Sequence, residues 1–290
     1  MKKVIILMPV YNDWESFNKL IGEINSAVDD IKDYKFECIV VNDCSTSGKS
    51  KIIKPKNFNS LKVVNMKKNQ GHARCNAAGL RYINKNESFD YVIVMDSDGE
   101  DRPVEVRDLI KKIIISPNTS VVAKRIKRSE GLIFQTLYHL HKLITLIFTG
   151  KKINFGNYCC LTKKDINLFI DKKSIWSSFS GTVKKNVLNL NEVDSIRGLR
   201  YFGPSKMSLF NLAIHSFSII AVFKYTVILR SILMIVALSF FIKIFGSISF
   251  LLQISIVFFN LMIFAVSLRE NQEALLKSNE NILNVDDIIH

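Results

Sequence analysis

The chain has 290 residues, 48% of them hydrophobic, with 40 basic and 26 acidic side chains and a net charge of +14. That length holds one sizeable domain and an appendage; the basic excess points to an anionic membrane surface or a phosphorylated ligand, and no nucleic-acid-binding motif is present. Cysteines at 38, 44, 75, 159 and 160 form neither C-x-x-C nor zinc-ligand spacing, which excludes a zinc module and a disulfide framework and implies reduced, cytosol-facing thiols.

The start imitates a signal peptide, but its apolar run ends at Pro9 after five residues, too short for a signal. Residues 3–8 therefore read as a first strand, and 13–31 as a helix with apolar residues at helical spacing. Residues 36–41 and 61–66 read as strands, 71–83 as a helix, 91–95 as the fourth strand and 104–115 as the helix after it. This βαβ rhythm predicts an α/β fold, Rossmann-like, with a mostly parallel sheet and helices on both faces. Residues 131–149 form a helix with a broad apolar face, packed on the sheet or lying along a membrane surface. Residues 208–225 are similarly apolar and read as an interfacial helix.

Beyond about residue 205 the composition turns strongly apolar. Residues 248–268 carry no charge, and sixteen of the 21 are apolar; at about 1.5 Å per residue they match a bilayer core of about 30 Å. Residues 227–246 are similar, with Arg230 and Lys243 near the ends, where basic side chains can snorkel. The short link predicts a transmembrane helical hairpin, with a buried soluble hairpin as the alternative. Lys206, Lys224 and Arg230 lie upstream against Lys243 at the turn, which puts both termini and the α/β domain in the cytoplasm. After Arg269 an acidic tail has spaced apolar residues (Leu275, Leu276, Ile282, Leu283, Ile288). They read either as a pairing surface for a second copy, making a homo-oligomer, or as a frayed end.

The fourth strand ends in Asp96, Asp98, Glu100 and Asp101. Acids at the carboxyl end of a strand sit where open α/β sheets bind ligands. Asp96 and Asp98 alternate, so both can face one divalent cation, and a cation there would neutralise a diphosphate. A solvated acidic turn is the competing account. A calcium loop is excluded, because its required Gly and Glu positions hold Asp101 and Arg107. Gly48-Lys49-Ser50 is not a P-loop, since Asp43 stands where the pattern needs Gly, and no G-x-G-x-x-G occurs.

Four motifs follow in order: Pro9-Val-Tyr-Asn12, Val41-Asn-Asp-Cys-Ser-Thr46, Asn69-Gln-Gly-His72 and Asp96-Ser-Asp98. Over residues 3–206 the set resembles the family 2 inverting glycosyltransferases of GT-A fold. Arg125-Ile-Lys-Arg-Ser-Glu130, Gly203-Pro-Ser-Lys206 and the apolar hairpin make it similar to their polyprenyl-phosphate sugar transferases, the dolichyl-phosphate mannosyltransferase type. The resemblance implies a GT-A domain at 1–206, a juxtamembrane helix at 207–225, two transmembrane helices at 226–268 and a cytoplasmic tail at 269–290. It implies Pro9 and Tyr11 beside the nucleotide base, Asp43 accepting from a base N–H, and Asp96 at the ribose or metal. Asp98 would bind Mg²⁺ or Mn²⁺, with Glu100 adding a metal or phosphate contact. Arg125, Arg128, Arg200, Ser205 and Lys206 would cradle a lipid phosphate, for which bidentate Arg is suited. Arg74 reads either as a diphosphate contact or as a surface residue.

The implied reaction takes a UDP- or GDP-linked sugar to a membrane polyprenyl phosphate. Asn42 and Glu100 depart mildly from the pattern. The relatives' Gly-Asp-Phe-Arg becomes Gly156-Asn-Tyr-Cys159, which removes a carboxylate base. A hydroxyl acceptor needs such a base, whereas a phosphate acceptor is already ionised. The alternatives are transfer to a hydroxyl of a lipid-linked glycan, with Asp101 or Glu100 as base, or a silent membrane protein that only binds nucleotide sugar.

Overall fold

A computed structural model describes residues 1–48, 51–127, 132–203 and 208–289. Strands β1 (Lys2–Val10), β2 (Tyr34–Asn42), β3 (Phe58–Met66) and β4 (Tyr91–Val94) form at the four expected apolar runs. They are followed by β5 (Val121–Lys127), β6 (Cys159–Thr162), β7 (Asn191–Ile196) and β8 (Ile282–Asp287). All eight join one sheet in the order β7-β5-β6-β4-β1-β2-β3-β8.

The central strands β4, β1, β2 and β3 are parallel, as the βαβ rhythm requires. The sheet is mixed at its margins: β6 runs antiparallel to both β4 and β5, and β8 antiparallel to β3. Strands buried on both faces read as continuous apolar runs, and β1 shows why. Ile5 and Leu7 enter one core while Val4, Ile6, Met8 and Val10 enter the other.

Helices α1 (Trp14–Ala27) and α3 (Val106–Ile115) cover the second face, and α2 (His72–Asn86), α5 (Lys163–Phe169) and α6 (Phe179–Asn186) the first. The helix expected over 104–115 opens with a 3₁₀ turn, Pro103–Glu105, because proline presets the φ of a first helical turn. Cys159 and Cys160 are buried in β6, each facing a different core.

The apolar elements are α4 (Leu132–Thr149), α7 (Leu209–Ala221), α8 (Lys224–Phe240), the four-residue α9 (Ile242–Phe245) and α10 (Ser247–Ser267). The span expected at 227–246 is therefore broken. Its helix α8 has 17 residues, about 25 Å at 1.5 Å each, and the chain turns at Gly246 with φ +53°. Among the described residues, α10 alone is long and apolar enough to cross a membrane, and only 11% of its most apolar stretch is buried. That exposure does not fit the core hairpin of a soluble protein. Helices α7 and α8 meet the same criterion only as a pair bent by 83°.

Helices α8 and α10 lie side by side. Asn260 Nδ2 donates to Ser231 Oγ at 2.8 Å and Gln253 Nε2 to Ser239 Oγ at 3.0 Å. The pair ends where it began, since Lys224 Nζ at the start of α8 reaches Glu270 Oε2 just past α10 at 2.8 Å.

The segment after Arg269 is not frayed: it packs back on the sheet, while Leu276 and Leu283 remain exposed. Helix α11 (Gln272–Leu276) places Leu275 fully in the core, and β8 takes the edge beside β3. An exposed parallel edge with unpaired amides gains from such a cover.

Candidate active site

Sheet order places the site. The chain leaves β1 toward β2 on one side and β4 on the other, and ligands bind at the carboxyl ends of strands where order reverses in this way. The ends of β1, β2 and β4 are tied together there. Asn12, with φ +53°, accepts the Thr46 and Ser47 N–H groups at 2.7 and 2.9 Å, and Ser97 Oγ donates to the Pro9 carbonyl at 2.8 Å. Tyr11, at the end of β1, is 39% exposed.

Asp43 is 3% exposed. Its carboxylate accepts the Gln70 and Gly71 N–H groups at 2.6 and 2.8 Å, which caps the start of α2. The residue expected to face a nucleotide base is thus already a structural acceptor, and only its remaining lone pairs face elsewhere.

After β4 the chain folds back on itself. Asp96 N–H donates to Asp101 Oδ2 at 3.0 Å, and Glu100 N–H to Asp98 Oδ1 at 3.0 Å. Gly99 supplies the turn with φ +91°, and a β-carbon there would lie 2.6 Å from the Tyr201 ring. The chain after β7 is stitched to this turn through Gly198 N–H to the Glu100 carbonyl and Tyr201 N–H to the Asp98 carbonyl. That stitching delivers two guanidinium groups. Arg197 pairs with Glu100, and Arg200 pairs with both Asp13 and Asp98, the latter at 2.8 Å.

Arg200 therefore sits among the carboxylates. Arg125, expected beside it in a phosphate cradle, instead approaches Asp101 at 3.8 Å and lies so close to Gly156 that a β-carbon would be 2.6 Å from its Nη2. Arg128, Ser205 and Lys206 of that cradle lie outside the described residues. Arg74 stacks 5.7 Å from the Trp176 ring.

His72 carries part of the site, although in the sequence it stands out only as the last residue of a motif. Its Nε2 is 3.2 Å from Asp96 Oδ1, 2.6 Å from Asn157 Nδ2 and 3.1 Å from Asn76 Nδ2. Asn157, the substituted acid, also donates to Asp96 Oδ1 at 3.2 Å. Burial alone would lower His72; the carboxylates of Asp96, Asp98 and Asp101 outweigh it and raise the ring above its ordinary value. Burial opposes charge on Asp96 too, yet His72, Arg197 and Arg125 hold that carboxyl well below the usual range. Arg197 and Asp13 escape a reading of the sequence as well, because nothing in the residues around them marks their distant partners.

Burial, then repulsion from Asp96, raises Asp98 and takes Asp101 to about 7. Carboxylate charge in this turn thus exceeds what the arginines neutralise, and the hard oxygens of Asp96 and Asp98 are donors of the kind Mg²⁺ and Mn²⁺ take. The residues fit a divalent cation. Among the described residues, no group of three or more His, Cys, Asp or Glu side chains is arranged to hold one unaided.

The fold is shared with known glycosyl-transferring synthases. Mannosyl-3-phosphoglycerate synthase from Rubrobacter xylanophilus superimposes with a TM-score of 0.53 at 14% identity, over 76% of this chain and 72% of that one. Glucosyl-3-phosphoglycerate synthase from Mycobacterium tuberculosis, solved with Mn²⁺, UDP-glucose and phosphoglyceric acid, gives 0.50 at 16% identity, over 78% and 80%. Among curated proteins, an undecaprenyl-phosphate 4-deoxy-4-formamido-L-arabinose transferase from Photorhabdus laumondii is 23% identical over 224 residues, 73% of this chain. Its counterpart from Yersinia enterocolitica is 27% identical over 169 residues, 56% of this chain. The chain spans 65% and 48% of the lengths of those two relatives. The strand ends, acidic turn and His72 loop described above all fall within residues 5–183, which match the model for glycosyl transferase family 2, and the chain belongs to that family.

Proposed function

We propose that this glycosyltransferase is membrane-anchored and moves a sugar from a nucleotide-sugar donor to a polyprenyl phosphate, inverting the anomeric configuration. One observation carries the acceptor assignment. Ile219 of the apolar helix α7 belongs to the same core as Cys75 and Ala78 of α2, the helix that His72 opens, and as Phe155 beside Gly156, so the charged site adjoins the apolar helices, beside which a lipid-borne phosphate would sit. The relatives named for undecaprenyl phosphate support the same acceptor.

In this reading the acceptor phosphate oxygen attacks the anomeric carbon, and the bond from that carbon to the donor diphosphate breaks on the opposite face. Tyr11 and Pro9 flank the base, and the unused lone pairs of Asp43 accept from a base N–H. Asp96 and Asp98 would hold Mg²⁺ or Mn²⁺ with diphosphate oxygens completing the shell, as is usual for such ions. When bound, the ion supplies Lewis-acid stabilisation of the leaving phosphate. Arg125 orients the acceptor phosphate, joined by Arg128, Ser205 and Lys206 of the sequence motifs. Arg200 exchanges Asp98 for phosphate oxygen. Holding both substrates in line contributes much of the rate.

A phosphate acceptor needs no proton removed. The candidates for that task with a hydroxyl acceptor are already engaged, Glu100 by Arg197 and Asp101 by Arg125 and the Asp96 amide. Helices α8 and α10 form the membrane hairpin. Pairing of β8 with β3 and of Lys224 with Glu270 supports an arrangement in which both of its ends leave the bilayer on one side, which is cytoplasmic by the distribution of basic residues.

The test is transfer in detergent with polyprenyl phosphate, a panel of UDP- and GDP-sugars, and Mg²⁺ or Mn²⁺ against chelator. The expected product is a lipid-linked sugar labile to mild acid, formed only with metal. Asp98→Ala is expected to lower turnover by at least about a hundredfold, the scale of losing one electrostatic stabiliser. Full metal-dependent transfer by that variant, or an acid-stable glycoside product, would overturn the reading.

A further inference from the structure

A line of polar side chains runs from the turn after β2 to the last strand of the chain. Asn42, at the end of β2, accepts the Ser45 N–H through Oδ1 at 3.0 Å and donates through Nδ2 to Asn65 Oδ1 at 2.8 Å. Asn65, at the end of β3, donates to Asn284 Oδ1 at 2.7 Å and to Asp286 Oδ2 at 2.9 Å. Ser45 Oγ accepts the N–H of Asn12, next to Tyr11, at 2.9 Å. Lys67 fastens the same edge, its N–H reaching the Asn281 carbonyl at 2.8 Å and its Nζ the Glu280 carbonyl at 2.7 Å.

Asn42 and Asn65 are each 7% exposed, a depth at which an amide must find partners. The two acceptors on β8 decide which way the Asn65 amide faces. An amide has two N–H donors and one carbonyl acceptor; with both donors drawn toward Asn284 and Asp286, Oδ1 is left facing Asn42. That in turn commits Asn42 Nδ2 to Asn65 and leaves Asn42 Oδ1 for the turn. Asn284 and Asp286 stand two apart and so share one face of β8.

We propose that Asn65, Asn284 and Asp286 are positioning residues for the nucleotide part of the donor. They act through Asn42 and Ser45 on the turn that carries Asp43 and borders Tyr11. The donor subsite is then complete only when the segment returning from the apolar hairpin is paired with β3. This rests on the nucleotide-sugar reading above.

The test uses the full chain in detergent, with calorimetric titration of the UDP- and GDP-sugar panel and steady-state kinetics. Asn284→Ala/Asp286→Ala is expected to raise donor Kd and KM about tenfold, the scale of a lost hydrogen-bond pair. Turnover at saturating donor is expected to stay close to wild type, and the melting temperature to fall by a few degrees, because the buried Asn65 amide loses both acceptors. Asn284→Ala/Asp286→Asn, which restores one acceptor oxygen, is expected to recover most of the affinity. Asn65→Asp, of the same size but facing Asp286 with a second acceptor, is expected to match the double alanine variant. Wild-type donor affinity in both the double alanine and Asn65→Asp variants overturns the inference and leaves the donor reading standing; so does a fall in turnover alone. A wild-type chain that binds no nucleotide sugar overturns the donor reading and this inference together.

Discussion

At Gly156 the Arg125 guanidinium stands where a β-carbon would be, at 2.6 Å. Gly156→Ala must displace that guanidinium from Asp101 without touching either core. We expect it to raise the acceptor KM about tenfold or more, with donor binding preserved, since a charge-assisted contact contributes about 1.5–3 kcal/mol. Kinetics with each substrate varied in turn would check the split. Asp101 is raised to about 7 by burial and by Asp96, against an unfolded value near 3.8. The folded chain therefore keeps a proton that the unfolded chain has released, and stability falls as pH climbs from about 4 to 7, with the loss complete above it. Asp101→Asn retains an acceptor for the Asp96 amide and removes the charge. It should melt a few degrees higher than wild type at pH 8, about 2–4 °C per kcal/mol for a chain of this order of size, and the gap should close toward pH 4. Asp96 and Asp98 are legible in the sequence because they abut the end of an apolar run. His72 is not, because its role depends on Asn157 and Asp96, which come from distant parts of the chain.

Among the elements, β8 has the largest consequence for its length. It covers the edge of β3, where unpaired amides would otherwise template association, and α11 delivers Leu275 into the core on the way. Removing residues 278–290 should leave the remaining sheet able to form but prone to association. Size-exclusion chromatography in detergent would show a shift to higher mass, and an unchanged profile would argue against the role of the strand. The sequence suggests a tail with apolar spacing but leaves its partner open between a second copy and none. Residues 282–287 have no long apolar run, and their pairing depends on an edge contributed some 220 positions earlier. The break of the first apolar span at Phe240 is equally hidden, since Phe241 to Phe245 is as hydrophobic as what precedes it.

For the whole molecule, the hairpin sets the geometry. The Lys224–Glu270 pair joins its two ends, and the β8–β3 pairing returns the chain to the sheet it left. If α8 and α10 cross a bilayer, the full chain should resist extraction from membranes by alkaline carbonate, and reporters fused at the two termini should report the same side. Reporters on opposite sides would be incompatible with β8 in the sheet.

The sequence by itself determined what depends on neighbouring residues: the central strands from their apolar runs, the covering helices from their periodicity, the acidic turn after β4, and the family from four motifs in order. Tertiary structure alone decided which charges meet. Arg200 reaches Asp98 across 102 positions, Asn157 reaches His72 across 85, and Asn65 reaches Asp286 across 221. Such pairs are set by strand order and by the direction in which each strand end projects, and a basic or amide side chain reads the same in sequence whichever carboxylate it finds.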